Sequence, residues 1–347
     1  MTPPETSSPQ APDGRAWNQI LSPYKGADTR RSVIQVLNSA VPFFVTWWLM
    51  LRSLEVSYAL TLLLAFPAMG FMTRLFIIQH DCGHGSFFRS SRVSQVVGFL
   101  IGIITLTPYG YWRRTHAIHH ATAGDLDGRE FGDVATITVR EYLSRGWWGR
   151  FRYRLYRNPF VLFGVGAAFQ FVVKHRLPWD TPFAWKKEWA SVLWTNLAIA
   201  GVITLMVQTI GWRSFLLVQA PITLLAASWG VWLFYMQHQF EDTYWQPNDS
   251  WDYHDAALHG SSHYALPKVL QWFTGNIGLH HVHHLSSRIP NYKLQQCHDE
   301  NPELQKATSL TLKESLGCMK LKLWDEASGK LISWKELRQI QKRLVAV

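Results

Sequence analysis

Residues 56–84 read VSYALTLLLAFPAMGFMTRLFIIQHDCGH, and this stretch decides the fold more than any other part of the chain. The uncharged run Val56–Thr73 comes close to the roughly 20 apolar residues that a helix needs to cross a bilayer. It leads into His80 and His84, which are four residues apart and therefore share one face of a continuing helix. The stretch predicts a membrane-spanning helix that projects from the bilayer and presents two imidazoles near its end.

Two further histidine groups have the pattern H-x-x-H-H. They are His116, His119 and His120, and His280, His283 and His284. On a helix each group can aim its imidazoles at one point. With the first pair they supply eight nitrogens, which is too many for one ion and enough for two. Burying so many polar nitrogens is costly unless something binds their lone pairs. The three groups therefore predict a dinuclear metal site and an enzyme.

Other histidines have different expected roles. His238 closes the last apolar stretch on the same side as the groups and is a candidate for a ninth metal ligand. His281 points about 100° away from His280 on a helix, so it is expected to support the site from outside or to be structural. His259 and His263 are expected to be ordinary polar residues of a loop.

The membrane topology follows from six uncharged apolar stretches. They are Ser32–Leu51, Val56–Thr73, Ser94–Trp112, Asn158–Val173, Ala190–Trp212 and Ser214–Met236. The first two and the last two are long enough to span and are joined by short links, so each pair is a helical hairpin. The histidine groups can share a site only if an even number of spans separates them. The middle two stretches should therefore re-enter the membrane or lie in its interface. The alternative is six spans with unrelated histidines.

The charge pattern predicts the orientation. The chain has a net charge of +10, and residues 113–187 carry 13 Lys and Arg, whereas the two outer links carry only Arg52 and Arg213. By the positive-inside rule, the histidine side and both termini face the cytoplasm. Nucleic acid is excluded as a partner because no basic-aromatic binding module is present. The three cysteines form neither a disulfide pattern nor a zinc pattern, which fits a reducing compartment.

These observations predict an all-α integral membrane protein with four transmembrane helices in two hairpins. A cytosolic helical cap would hold the dinuclear site. We divide the chain into a disordered or interfacial segment over residues 1–31, a transmembrane and metal-binding domain over 32–292, and a cytosolic C-terminal segment over 293–347. Within the last, residues 320–334 alternate around a turn and predict a β-hairpin, followed by a short basic helix.

The ligand type narrows the metal. Imidazole suits Zn, Cu, Fe and Ni, and hydrolysis by zinc rarely needs eight nitrogens. Two irons with open positions can use O2 and two electrons to remove unactivated hydrogen, which no side chain achieves alone. Acceptors should hold the outer ring nitrogens of the ligands. The candidates for this supporting role are Asp81, Asp125, Asp127, Glu241 and Asp242.

The sequence resembles the membrane fatty acid desaturase family over roughly residues 32–292. The resemblance is strongest in HDCGHGSFF at 80–88, in GLHHVHHL at 278–285 and in RIPNY at 288–292, and it looks most like bacterial acyl-lipid desaturases of the delta-12 or omega-6 type. It implies a non-haem di-iron centre, O2 as co-substrate and insertion of a cis double bond into a long acyl chain. The eight histidines of the three groups match the family's three boxes as the catalytic set, and His238 matches a further histidine often seen before the last box.

The resemblance also implies partners and a location. The substrate would be a long-chain acyl lipid or an acyl thioester in a bacterial inner membrane. Electrons would come from a separate ferredoxin or b-type cytochrome and its reductase. The Arg-rich stretch Arg113–Arg157 is expected either to steer such an acidic carrier or to contact anionic membrane lipid. Aromatic residues near the boxes are expected to line a substrate tunnel: Phe87, Phe88, Trp112, Trp229, Trp232, Trp272 and Phe273.

Two other functions remain open at this point. A hydroxylase or ketolase acting on an alkane, sterol or carotenoid would share the same ligands, because the reactions diverge only after the first hydrogen is removed. A membrane metal carrier or sensor would place polar ligands within the spans, whereas these histidines lie at or beyond the ends of the spans. The sequence does not fix the double-bond position, the chain length or the oligomeric state.

Overall fold

The computed structural model describes residues 14–129 and 131–345, and most of them are helical. The helices are α1 (Gly14–Leu21), α2 (Thr29–Ser53), α3 (Tyr58–His84), α4 (Ser91–Ile104), α5 (Tyr109–Thr122), α6 (Val139–Ser144), α7 (Trp147–Tyr156), α8 (Gly166–Phe169), α9 (Lys186–Ile210), α10 (Trp212–His238), α11 (Tyr253–His259), α12 (Lys268–Phe273), α13 (His280–Leu285), α14 (Asn291–Glu300), α15 (Leu312–Cys318) and α16 (Trp334–Val345). Four short strands complete the fold: β1 (His263–Ala265), β2 (Ser309–Thr311), β3 (Leu321–Asp325) and β4 (Lys330–Ser333).

Four of the described helices, α2, α3, α9 and α10, are long and apolar enough to cross a membrane. Helices α2 and α3 form one hairpin, whose turn is fixed by a 2.7 Å hydrogen bond between the hydroxyls of Ser53 and Thr61. Helices α9 and α10 form the other, and they meet at Gly211, whose φ of +81° favours glycine. The predicted membrane fold with four spans in two hairpins is confirmed.

The third apolar stretch is broken rather than continuous. Helices α4 and α5 are long and apolar enough to cross a membrane only when they are taken together. The two helices are bent by 101° relative to each other. At the bend Leu106 has a φ of +54°, and the side chain of Gln79 on α3 bonds both flanking residues. Its Nε2 donates to the Thr107 carbonyl at 3.0 Å, and its Oε1 accepts from the Thr105 hydroxyl at 2.8 Å. The bend therefore returns α5 towards the end of α3, and re-entry of this stretch into the membrane stays a prediction.

The fourth apolar stretch is short and irregular. Residues 161–174 consist of two π-helical turns on either side of α8, and they fall below the length of the four long helices. The end of this segment is bonded to the bend between α4 and α5, because His175 and Arg176 both bond the Leu106 carbonyl. It packs beside α10 and lines a cavity there, in accordance with the expectation that it does not cross.

A cap of short helices covers the ends of α3 and α10. Helix α1 belongs to it, because Trp17 and Leu21 are buried in one cluster with residues of α11, α13 and α14. The predicted C-terminal hairpin is confirmed as the antiparallel pair β3–β4, and α16 follows it. Residues 1–13 of the predicted N-terminal segment lie outside the described residues. The domain division at residues 292 and 293 stays a prediction.

Candidate metal centre and substrate cavity

Helix α3 carries the first pair of histidines beyond the apolar part of the bundle, as its sequence predicts. The helix ends at His84, and Gly85 adopts the left-handed conformation with a φ of +66° that terminates it. His80 is buried, with 3 % of its surface exposed, and faces the other histidine groups. The ring centroids of His80 and His84 are 4.7 Å apart, so the pair points to one place.

The second and third groups also lie on helices. His116, His119 and His120 are on α5, and His280, His283 and His284 are on α13, which is buried along its whole length. His238 is the last residue of α10. The predicted helical placement of each group is therefore confirmed, and the α4–α5 bend is what turns the second group towards the first.

The nine histidines form two groups, each of which could hold a metal ion. The first group is His80, His84, His116, His120 and His283, and the second is His119, His238, His280 and His284. Within each group the ligand nitrogens all lie within 4.8 Å of one another. Every histidine predicted as a ligand belongs to one of the groups, and each H-x-x-H-H motif divides its members between both.

Inward-facing nitrogens approach one another closely in both groups. The Nε2 atoms of His280 and His238 are 2.9 Å apart, and those of His283 and His120 are 3.0 Å apart. Burial holds the pKa of His283 and of His284 well below the ordinary value, so these imidazoles are neutral and keep a lone pair. His84 Nε2 and His119 Nε2 are buried without a hydrogen-bond partner. A metal ion is the group that this donor set fits.

The outer ring nitrogens of three histidines bond to acceptors. His80 Nδ1 donates to Asp81 at 2.9 Å, and His119 Nδ1 donates to Asp133 at 2.5 Å. His238 Nδ1 donates to the Gly260 carbonyl at 2.9 Å. A proton on Nδ1 leaves the Nε2 lone pair pointing inward, which is the arrangement found around metal-bound histidines.

Asp81 has a second set of partners, which connect the end of α3, where the first histidine pair lies, to the start of α14. Its Oδ2 accepts from the backbone N–H and the side-chain amide of Asn291 at 2.7 and 2.8 Å. Asn291 stands at the start of α14, six residues after α13 ends at Leu285. Sequence reasoning missed this residue, although it lies within the RIPNY stretch that carries part of the family resemblance.

The expectations about supporting acids were only partly right. Asp81 has the predicted contact, whereas Asp125 accepts from the backbone of Asp127 instead of a histidine. Asp127 in turn bonds the Asn248 backbone, and Glu241 and Asp242 pair with Lys330 on the C-terminal hairpin. Asp133 was not expected, because its approach to His119 depends on the path of the loop after α5 and leaves no pattern in the sequence.

His281 is separate from both groups, as expected. Its Nε2 lies 3.3 Å from His298 Nδ1, and the ring of His263 is 4.9 Å from that of His298. These three histidines form a small cluster behind α13. Their nitrogens are not among the described groups that are close enough to share an ion. The structure therefore brings His263 into a packed cluster rather than leaving it an ordinary loop residue, which corrects that expectation.

A cavity of about 570 Å³ reaches the metal centre from within the helical bundle. His80 and His116 of the first group and His280 of the second line one end. Much of the remaining wall comes from α3, α10 and residues 161–174, with small residues such as Ala226, Ala227 and Gly230 on α10. An apolar chain inside this cavity would contact histidines of both groups.

The aromatic residues expected to line the tunnel are mostly elsewhere. Of the seven, only Trp112 lines the cavity, where its ring stacks on His116 at 4.4 Å. Phe87 and Phe88 are buried in the packing of the first hairpin, and Phe273 packs against Gly70. The aromatic rings that do line the cavity with Trp112 are Phe76, Tyr111, Phe131, Tyr156, Phe171 and Phe234. Proximity to a histidine box in sequence does not reveal which face of a helix meets the cavity.

Comparison with known proteins gives consistent results. A sequence model described as fatty acid desaturase matches residues 55–314. A protein of Bacillus subtilis named fatty acid desaturase is 47 % identical over 313 residues, which cover 90 % of this chain and 88 % of that protein. An sn-1 oleoyl-lipid 12-desaturase of Anabaena variabilis is 28 % identical, covering 77 % of this chain and 75 % of that protein. An sn-1 acyl-lipid omega-3 desaturase (ferredoxin) of Synechocystis sp. is 29 % identical, covering 64 % and 62 %.

Proposed function

The chain belongs to the fatty acid desaturase family, and from this premise we propose that it introduces a cis double bond into a long-chain acyl group of a membrane lipid. One observation carries the proposal. The cavity of about 570 Å³ ends at histidines from both groups, so one apolar chain can contact both of them. An acyl chain is the substrate that fits an apolar cavity between membrane-spanning helices.

We assign the nine histidines as ligands of two iron ions, five on one ion and four on the other. Imidazole nitrogen suits iron, and the buried unpartnered nitrogens supply the lone pairs. When bound, the irons supply the O2-dependent oxidation that side chains cannot perform. In the overall reaction a CH2–CH2 unit loses two hydrogens and becomes CH=CH. Those hydrogens, two electrons and two protons reduce one O2 to two waters.

The protein's own residues position the substrate and orient the histidines. Trp112 stacks on His116 and presents its ring to the cavity, so it can hold the chain against the first histidine group. Asp81 and Asp133 fix the orientation of His80 and His119 through their Nδ1 atoms. Because these acids hold the imidazoles, the ligands are pre-arranged and need little reorganisation when metal binds.

The names of two relatives support a proposal for the form of the acyl substrate and for the electron donor. One is named an oleoyl-lipid desaturase and another an acyl-lipid desaturase that uses ferredoxin. We infer a lipid-linked acyl substrate and a ferredoxin with its reductase for this chain, with an acyl thioester and a b-type cytochrome as the alternatives. The excess of Lys and Arg over residues 113–187 supports a cytoplasmic active site, and we place the enzyme in a bacterial inner membrane.

A fatty acid profile tests this proposal. The chain is expressed in a bacterial host together with a ferredoxin and its reductase, and double bonds in the lipid acyl chains are located by mass spectrometry. We expect a new cis-unsaturated acid with the wild type and with His281→Ala, and none with a His283→Ala/His284→Ala double variant. A metal-loaded, membrane-inserted wild type that produces only a hydroxylated or keto lipid would contradict the proposal.

A further inference from the structure

The two histidine groups differ in how close they come to the surface of the protein. All members of the four-histidine group are buried, with between 0 and 8 % of each residue exposed. In the five-histidine group, His84, His116 and His120 are partly exposed. His116 borders the substrate cavity, whereas His84 and His120 do not, and the rings of these two are 4.7 Å apart. The turn at His84, together with the adjacent His120, is therefore where the centre comes nearest to the outer surface of the cap.

Two arginines flank that turn. A side chain at Gly83 would meet the Arg113 stem at 3.5 Å, and one at Gly85 would meet Arg288 Nη1 at 3.0 Å. Arg288 Nη1 also donates to the His84 carbonyl at 3.2 Å. Both arginines are exposed. The two arginines thus stand on either side of the turn at His84.

Two more cations extend this surface. Lys293 Nζ bonds the Gly26 carbonyl, and the Gly26 N–H bonds the Arg288 carbonyl, so both lie at one turn. Arg89 Nε bonds the next carbonyl, that of Ala27. We call Arg89, Arg113, Arg288 and Lys293 the basic patch. None of the four forms an ion pair with any carboxylate among residues 14–129 and 131–345.

The surroundings of Arg113 and Arg288 are suited to water rather than to lipid. Among the described residues, neither 101–146 nor 273–311 contributes an exposed large hydrophobic side chain, whereas Arg89 is followed by the exposed Val93 and Val96 on α4. Helix α7 is different, although it is also rich in arginine. Trp147 and Trp148 expose 70 and 65 % of their surface there, beside the exposed Arg145 and Arg152. Aromatic rings next to arginine are typical of the membrane–water interface.

We propose that the basic patch is the docking surface for the acidic one-electron carrier, and that the arginines of α7 serve the membrane interface. The proposal rests on the proposed function, because each double bond requires two electrons and the carrier must therefore deliver one electron twice. Electron transfer rates fall steeply with distance, so the carrier should bind where the centre is nearest to the surface. Unpaired cations around His84 attract an acidic protein and orient it over this position.

The test compares charge reversal on the two surfaces in purified, metal-loaded enzyme. One variant is Arg113→Glu/Arg288→Glu, and the matched control is Arg145→Glu/Arg152→Glu, with Arg145 just before α7 and Arg152 on it. Binding of an acidic [2Fe–2S] ferredoxin is measured directly, and turnover is measured against ferredoxin concentration at low and high salt. Reduction of the centre by dithionite is followed separately, because it does not require the docking surface.

We expect the patch variant to bind ferredoxin about 10-fold or more weakly, with a raised KM for the carrier and less dependence on salt. Its metal content and its reduction by dithionite should match the wild type, and the α7 variant should bind ferredoxin normally. Equal weakening by both variants, or weakening by the α7 variant alone, would overturn the proposal. So would a patch variant that loses affinity only for anionic vesicles. Because binding is measured directly, a wild type that binds ferredoxin but makes no unsaturated product refutes the proposed function alone.

Discussion

The carboxylate of Asp133 accepts a hydrogen bond from His119 Nδ1 at 2.5 Å. His119 is fully buried, so this acid determines which way the imidazole faces within the four-histidine group. The two residues are 14 positions apart and belong to different parts of the cap. The second oxygen of Asp133 is buried without a hydrogen-bond partner. Its main contact is therefore with the ligand that it orients.

Replacing this acid tests its orienting role. We expect Asp133→Asn to lower metal affinity or turnover by about 10- to 100-fold, because the neutral amide is a weaker acceptor for the Nδ1 proton. Metal content and the initial rate are measured on purified protein. Asp127→Asn is the control, since Asp127 bonds the Asn248 backbone and no described histidine. Equal losses in the two variants would show that the effect comes from the loop rather than from the contact with His119.

The histidine groups could be predicted because their spacing is a local property. Residues at i, i+3 and i+4 share a helix face wherever that helix lies, so His80 and His84 had to point together. The four spans could be predicted for a similar reason, since length and hydropathy are carried by each segment alone. The third apolar stretch could be predicted not to cross because the histidine groups can share a site only if an even number of spans separates them.

Contacts made by loops could not be predicted in this way. Asp133 reaches His119, and Asn291 reaches Asp81, only because the chain folds back between them. The aromatic lining was mostly wrong for the same reason. Trp229 and Trp232 lie on α10 beside the cavity-lining Gly230, yet they pack away from it. The cavity is formed by several helices together, so its lining cannot be predicted from the sequence of any one of them.

Filling the cavity should reduce turnover and leave the metal centre intact. A Cβ at Gly230 would meet no atom within 4 Å, and the residue lines the cavity. Gly230→Leu should therefore fold normally and slow desaturation of long-chain substrates by about 10-fold or more, because the chain is displaced from the histidines. Rates and metal content are measured together. Gly201→Leu is the control, since Gly201 is exposed on α9 with open space around it. An unchanged rate in Gly230→Leu would exclude this cavity as the substrate site.

The bend between α4 and α5 depends on close packing at Gly102. A Cβ there would lie 2.5 Å from the Thr107 carbonyl oxygen, which is backbone and cannot turn aside. We expect Gly102→Ala to destabilise the protein by about 1–3 kcal/mol through overpacking. Thermal unfolding in detergent checks this, with Gly201→Ala as the control. If the two alanine variants unfold at the same temperature, the bend tolerates the added methyl group and the packing argument fails.

The buried Lys322 should make stability depend on pH. Only 6 % of the residue is exposed. Burial, together with the nearby Arg157 guanidinium, lowers the pKa of Lys322 to about 8. The unfolded chain, with a lysine pKa near 10.5, binds the proton first as the pH falls. Stability from this group is therefore present above about pH 10.5 and is lost as the pH falls to about 8.

Thermal unfolding in detergent between pH 7.5 and 10 measures this effect. We expect the Tm of the wild type to rise with pH relative to that of Lys322→Met, which removes the titrating group. Lys320→Met is the control, because Lys320 is exposed. If Lys322→Met and Lys320→Met differ from the wild type by the same amount at every pH, then Lys322 titrates as an ordinary surface lysine.

Metal content in single histidine variants tests the central claim most directly. His283 and His284 are adjacent on α13 but belong to different groups, whereas His281 on the same helix belongs to neither. Total bound metal per chain is measured by mass spectrometry of the elements in purified protein. We expect about two ions in the wild type and in His281→Ala, and about one in His284→Ala and in His283→Ala. Two ions retained in both His283→Ala and His284→Ala, or an equal loss in His281→Ala, would contradict a centre of two ions divided between the two groups.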